Sequence, residues 1–153
     1  MGFNNQDLLA IKAELVNNPL SLSGFLPLSN SANDESNASA LNLVRVECQI
    51  DREAIPVSEI VKAIDRDEFA ALSAADRQWL QLITAGGSVN PKSGGEVREG
   101  ILQLFGGGTE SRTAMTSLLT ESASRVNQLY KAGTLTQGGI VTPSDVANAR
   151  NAV

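Results

Sequence analysis

The string that comes nearest to chemistry is Gly86-Gly87-Ser88-Val89-Asn90-Pro91-Lys92-Ser93. It imitates the phosphate-binding pattern G-x-x-x-x-G-K-[ST], with Lys92 and Ser93 in register. A phosphate cradle is made of backbone N–H groups in a turn that follows a strand. Pro91 stands where the second glycine belongs and has no N–H to give. The residues before the string, through Ile83, have the periodicity of a helix, so it reads as a glycine helix stop followed by a new helix start. No nucleotide is expected there. Asp65, Asp67 and Glu68 offer a D-x-D spacing, but a calcium loop needs oxygen ligands over about twelve positions and a central glycine. Phe69, Ala70, Ala71 and Leu72 follow instead. Acids so placed suit the positive end of a helix.

Nucleophiles lack partners. The chain has no histidine, which excludes a Ser-His-Asp arrangement and a Cys/His zinc site. Its one cysteine, Cys48, cannot form an intrachain disulfide, and it falls on the apolar side of a strand pattern, where a buried and inert thiol is expected. There is no S-x-x-K string, and no pair of carboxylates is singled out for glycoside chemistry. Asn37-Ala38-Ser39 is a glycosylation sequon in spelling only. The expectation is a protein that is not an enzyme, with no cofactor, no metal and no small-molecule substrate.

Composition narrows the partners. The formal charge is −5 and the pI about 4.7, with Lys and Arg scattered, so no basic stripe awaits nucleic acid. Aromatics make up 4%, which leaves few stacking platforms for single strands. At 42% hydrophobic the chain can build a core, and Leu, Ile, Val and Ala must supply it. No apolar run nears the roughly 20 residues that span a bilayer, so no membrane is expected. The start, Met1-Gly2-Phe3-Asn4-Asn5, lacks a basic segment and an apolar run, and Gln6 breaks the myristoylation pattern. A cytoplasm-like environment is expected. Other proteins are left as partners, and Trp79 reads first as the largest core residue.

The elements that would position such a surface are mostly helices. Residues 5–16 carry Leu8, Ile11 and Leu15 at helical spacing, capped by Asn4 or Asn5 and stopped by Asn17-Asn18-Pro19. Residues 19–42, rich in Ser and Asn, read as a flexible linker or, over 33–41, one short helix. Residues 43–50 alternate Val44, Val46, Cys48 and Ile50 with Arg45, Glu47 and Gln49, the period of a half-buried strand. Its partner is a distant segment or another chain. Val57, Ile60, Val61 and Ile64 form an amphipathic face, and residues 67–72 one turn presenting Phe69 and Leu72. Ser73 caps a helix with Trp79, Leu80 and Ile83. A capping box of Ser93 and Glu96 opens one with Val97, Ile101, Leu104 and Phe105. Thr109 caps the next stretch, one helix or two broken near Thr120. Thr142-Pro143-Ser144-Asp145 starts a final short helix. The expected fold is mainly α: a compact bundle of short helices with one short strand or extended arm. Its expected divisions are an N-terminal helix (1–18), a flexible linker (19–42) and a helical domain with a leading strand (43–153). The surfaces expected to meet partners are Val44, Val46, Cys48 and Ile50 on the strand and Leu8, Ile11 and Leu15 on the first helix.

Three segments in order carry a resemblance. They are Asn18-Pro19-Leu20; Val57-Ser58-Glu59-Ile60-Val61-Lys62-Ala63-Ile64-Asp65 running into Glu68-Phe69-Ala70-Ala71-Leu72-Ser73-Ala74-Ala75-Asp76-Arg77; and Val141-Thr142-Pro143-Ser144-Asp145-Val146-Ala147-Asn148-Ala149-Arg150. Together they resemble a family of small virion structural proteins of tailed bacteriophages, over residues 57–150 and with a fainter echo in the first helix. Residues 29–42 depart from the pattern. The resemblance implies a non-enzymatic particle component bound to other virion proteins, in several copies of a symmetric assembly put together in the host cytoplasm. Tail, neck or fibre-associated adaptor, capsid cement protein, and a host-directed binding module outside the particle are the roles it leaves open.

Overall fold

A computed structural model describes residues 2–92 and 95–153, and the chain is mainly α-helical. In order run α1 (Asn5–Asn17), α2 (Asp34–Asn42), β1 (Val44–Asp51), β2 (Ile55–Pro56), α3 (Val57–Ala63), α4 (Arg66–Ala71) and α5 (Ala74–Thr84). Then come β3 (Ser88–Val89), α6 (Glu96–Leu104), α7 (Glu110–Leu118), β4 (Thr120–Ser124), α8 (Arg125–Lys131) and α9 (Pro143–Asn151). They divide into two units. The first joins Met1–Ile50 to Ser122–Val153, and the second, Asp51–Glu121, is inserted between these halves.

In the first unit the side chain of Asn4 accepts the Asp7 N–H at 2.9 Å and so caps α1. Asn18 ends the helix in the left-handed conformation, φ 38°, which asparagine tolerates better than most residues. Ile11 and Leu15 then pack with Leu41 of α2, Val126 and Leu129 of α8, and Val146 and Ala149 of α9. The first helix is therefore not a tethered arm. Its stripe finds its complement in the last helices of the chain, so the expected division at residue 43 gives way to the discontinuous unit.

The expected linker is also structured in its second half. The reason lies in the asparagines that made it look solvated. Asn37, fully buried, accepts the Leu26 N–H at 2.8 Å and donates to the Leu26 carbonyl at 3.2 Å. Asn42 does the same to Val141, at 3.0 and 2.7 Å. Each side-chain amide satisfies a backbone donor and acceptor as a sheet neighbour would, which lets irregular backbone be buried. Arg150 adds a 2.7 Å bond to the Leu28 carbonyl and an ion pair with Asp34.

In the second unit β2 and β3 pair antiparallel, with Ile55 opposite Val89, over a core of Ile60, Ile101, Met115 and Leu119. Asp65 caps α4, Ser73 caps α5 and Thr109 caps α7. The N-cap of α6 is Gly95; Ser93, expected in that role, lies outside the described residues. Gly100, within α6, lies under the indole of Trp79, and a Cβ there would come within 2.4 Å of the ring. The close seat explains a glycine inside a helix. The Arg52 N–H donates to the Leu119 carbonyl at 3.1 Å, tying the start of this unit to its end.

Residues 109–133 form the second of the two expected arrangements, two helices broken at Thr120. Between α7 and α8 stands β4, which pairs with β1 in a two-stranded sheet. The strand at 43–50 is thus real, and a distant segment of the same chain is its neighbour.

Candidate functional site

The seven residues expected to face partners do not form one surface. Ile11, Leu15 and Cys48 are buried in the first unit, and Leu8 packs, half-buried, against its core. Ile50 is half-buried. Only Val44 and Val46, 62% and 75% exposed, stand open to another molecule. The alternation held as a strand but not as a face: Cys48 is fully buried, whereas Val44 and Val46 nearer the start of the strand are open. Burial pushes the Cys48 thiol up, with Arg125 and Arg45 opposing, so it stays protonated at neutral pH and is a poor nucleophile.

The acidic cluster is engaged at helix ends. The Asp65 carboxylate accepts the N–H groups of Asp67 and Glu68 at 2.9 and 3.0 Å. Glu68 reaches the start of α7, where it accepts from Glu110 and Ser111 N–H at 3.0 and 2.9 Å. The Ser111 hydroxyl and these backbone donors hold its carboxyl below the usual carboxylate range. The string around Lys92 is likewise used by the fold. Ser88 and Val89 form β3, Val89 is buried, and the Pro91 carbonyl accepts from Arg98 at 3.3 Å.

What the sequence did not single out is a groove on the second unit. Ile60 and Val61 of α3, Ile64 just after it, Phe69 of α4 and Leu80 of α5 wall a cavity of about 300 Å³. Its polar lining is Arg66, Gln81 and Thr84. The Thr84 hydroxyl is tied to the Leu80 carbonyl at 2.8 Å. Arg66 is the one charged residue of the lining and has no ion-pair partner among the described residues. The helices around it are thinly covered: α3 buries Ile60, α5 buries Leu80, and α4 buries no residue. Val61 is 64% exposed and Leu82, farther along α5, is 73% exposed. The signal available in the sequence was the apolar surplus of these short helices. Val61 belonged to the expected stripe, but only Ile60 in that stripe is fully buried.

Comparison with protein-family models, with curated proteins and with solved structures finds no match to this chain.

Proposed function

We propose that the chain is a non-enzymatic structural protein of a tailed-phage particle, binding neighbouring virion proteins as a tail, neck or fibre-associated adaptor. The observation that carries the binding role is Val61, a large apolar side chain exposed on a thinly packed helix and lining an apolar groove. An exposed apolar side chain at a concave apolar site favours a protein partner, because covering it removes apolar surface from water. The polar groups that could have suggested catalysis have structural roles: Asp65 and Glu68 hold helix N-termini, and Cys48 is a buried thiol. The placement in a phage particle rests on the resemblance of residues 57–150.

Quantitative mass spectrometry of purified particles, normalised to the major capsid protein, tests the placement. A tail or neck component is expected at about ten copies, as its ring symmetry dictates. A ratio near one per capsid subunit would make it a cement protein, and absence from the particle would defeat the assignment.

A further inference from the structure

We infer that the groove between α3, α4 and α5 receives an amphipathic helical segment of a partner protein, whose apolar face carries an adjacent acidic side chain that pairs with Arg66. This deepens the protein-binding reading and rests on it. The groove is walled by helices and apolar side chains, the setting in which a partner helix inserts anchors one turn apart. A small polar ligand would need several converging polar groups to orient it. Here the Thr84 hydroxyl is already bonded to Leu80, so Arg66 and Gln81 remain.

Charge identifies the occupant further. Arg66 lines the groove without an ion pair among the described residues, although the chain as a whole is acidic. Its acidic neighbours do not neutralise it by contact: Asp65 and Glu68 hold the N–H groups of α4 and α7, and Asp67 is not part of the lining. A guanidinium offers two parallel donors to a carboxylate, and that geometry is specific as well as attractive. Covering Arg66 with a purely apolar partner would desolvate an unpaired charge, which disfavours such a partner.

The test is selection of a random peptide library against the full chain, followed by titration of the enriched peptides onto variants. Val61→Asp, Arg66→Glu and the milder Arg66→Gln alter exposed side chains, so wild-type circular dichroism and melting are expected of all three. Enriched peptides should share apolar residues at helical spacing with a neighbouring Asp or Glu. They should bind Arg66→Glu and Val61→Asp at least about tenfold more weakly, a loss of about 1.4 kcal/mol. Exchanging the peptide's acid for Lys should restore binding to Arg66→Glu and weaken it to the wild type. The inference is overturned if no peptide is enriched, or if enriched peptides are indifferent to both Arg66 variants. It is equally overturned if sedimentation of the free protein shows a dimer that Val61→Asp disperses, since a second copy would then be the occupant. A protein found in particles whose groove selects no such peptide keeps the adaptor reading and loses this one.

Discussion

The two units bury their helices very differently. In the first, α1 takes Asp7, Ile11, Glu14 and Leu15 out of water, and the polar members have matched partners. Asp7 accepts the N–H and hydroxyl of Thr136 at 2.7 and 2.8 Å, and Glu14 holds Arg125 through two bonds at 2.7 and 2.8 Å. In the second unit α3 and α5 each bury one residue and α4 buries none; exposed large apolar side chains occur in both units, Val46 and Ile140 in the first as well as Val61 and Leu82 in the second. A helix closed by satisfied polar groups specifies one arrangement, while a thinly covered helix leaves surface for another molecule. The helices of the first unit are closed over satisfied polar groups, and α3, α4 and α5 of the second are thinly covered.

Cutting the chain breaks this comparison most severely. The segment 51–121 is expected to melt cooperatively alone, since its core is internal and Arg52 bonds Leu119 across its ends. Extending it to Val153 should add no cooperative helical signal by circular dichroism, because α8 and α9 then lack Ile11, Leu15 and Leu41. Folding of α8 and α9 in the longer segment would show that the first unit does not need its N-terminal half.

Ion pairs sharpen the contrast. Glu14→Ala leaves the largely covered Arg125 with Gln128 alone and is expected to lower stability by about 3 kcal/mol, the low end for a broken buried pair, in urea denaturation. Glu59→Ala removes the partner of Arg52 in a pair far more open to water, and its effect should be much smaller.

Within the second unit, Gly100→Ala drives a methyl into the indole of Trp79. Overpacking of this kind costs about 1–3 kcal/mol, of which a gain of about 1 kcal/mol in helix propensity offsets part. A net loss and a shift in tryptophan emission are expected, and Trp79 is the only tryptophan in the chain. An unchanged emission spectrum would mean that the ring does not rest on Gly100.

Titration gives the smallest effects, of opposite sign in the two units. Glu68 and Glu59 are held below the usual carboxylate range, by Ser111 and by Arg52 respectively. A depressed folded pKa adds stability above the unfolded value, and this is lost as pH falls through the folded one. Glu68→Gln should therefore flatten the acid limb of stability followed by Trp79 emission. Cys48 is shifted up by burial, so its contribution is complete below the ordinary thiol pKa and is lost as pH rises through the folded value. Cys48→Ala should flatten the alkaline limb seen by circular dichroism.

Local signals were legible in the sequence, and long-range ones were not. Asn4, Ser73, Thr109 and Thr142 each cap the helix expected of them, and Thr142 forms the full capping box with Asp145. A cap is decided within four residues, so it can be read from the string. β4 was hidden because Thr120, Glu121, Ser122, Ala123 and Ser124 lack apolar alternation; pairing with β1 makes them a strand. The division into units was hidden for a similar reason, since the packing of α1 on α9 depends on shape across nearly the whole chain. The groove escaped notice because a stripe names the apolar residues of a helix without saying which are covered. Ile60 is covered and Val61, one residue on, is not.

Native-state hydrogen exchange on the intact chain tests the contrast between the closed helices of the first unit and the thinly covered helices of the second most directly. Amides of α1, α8 and α9 should exchange only through unfolding of their whole unit, while those of α4 and α5 should exchange far faster through local opening, as their sparse burial implies. Equal protection along both sets of helices, or stronger protection in α4 and α5 than in α1, would contradict the account.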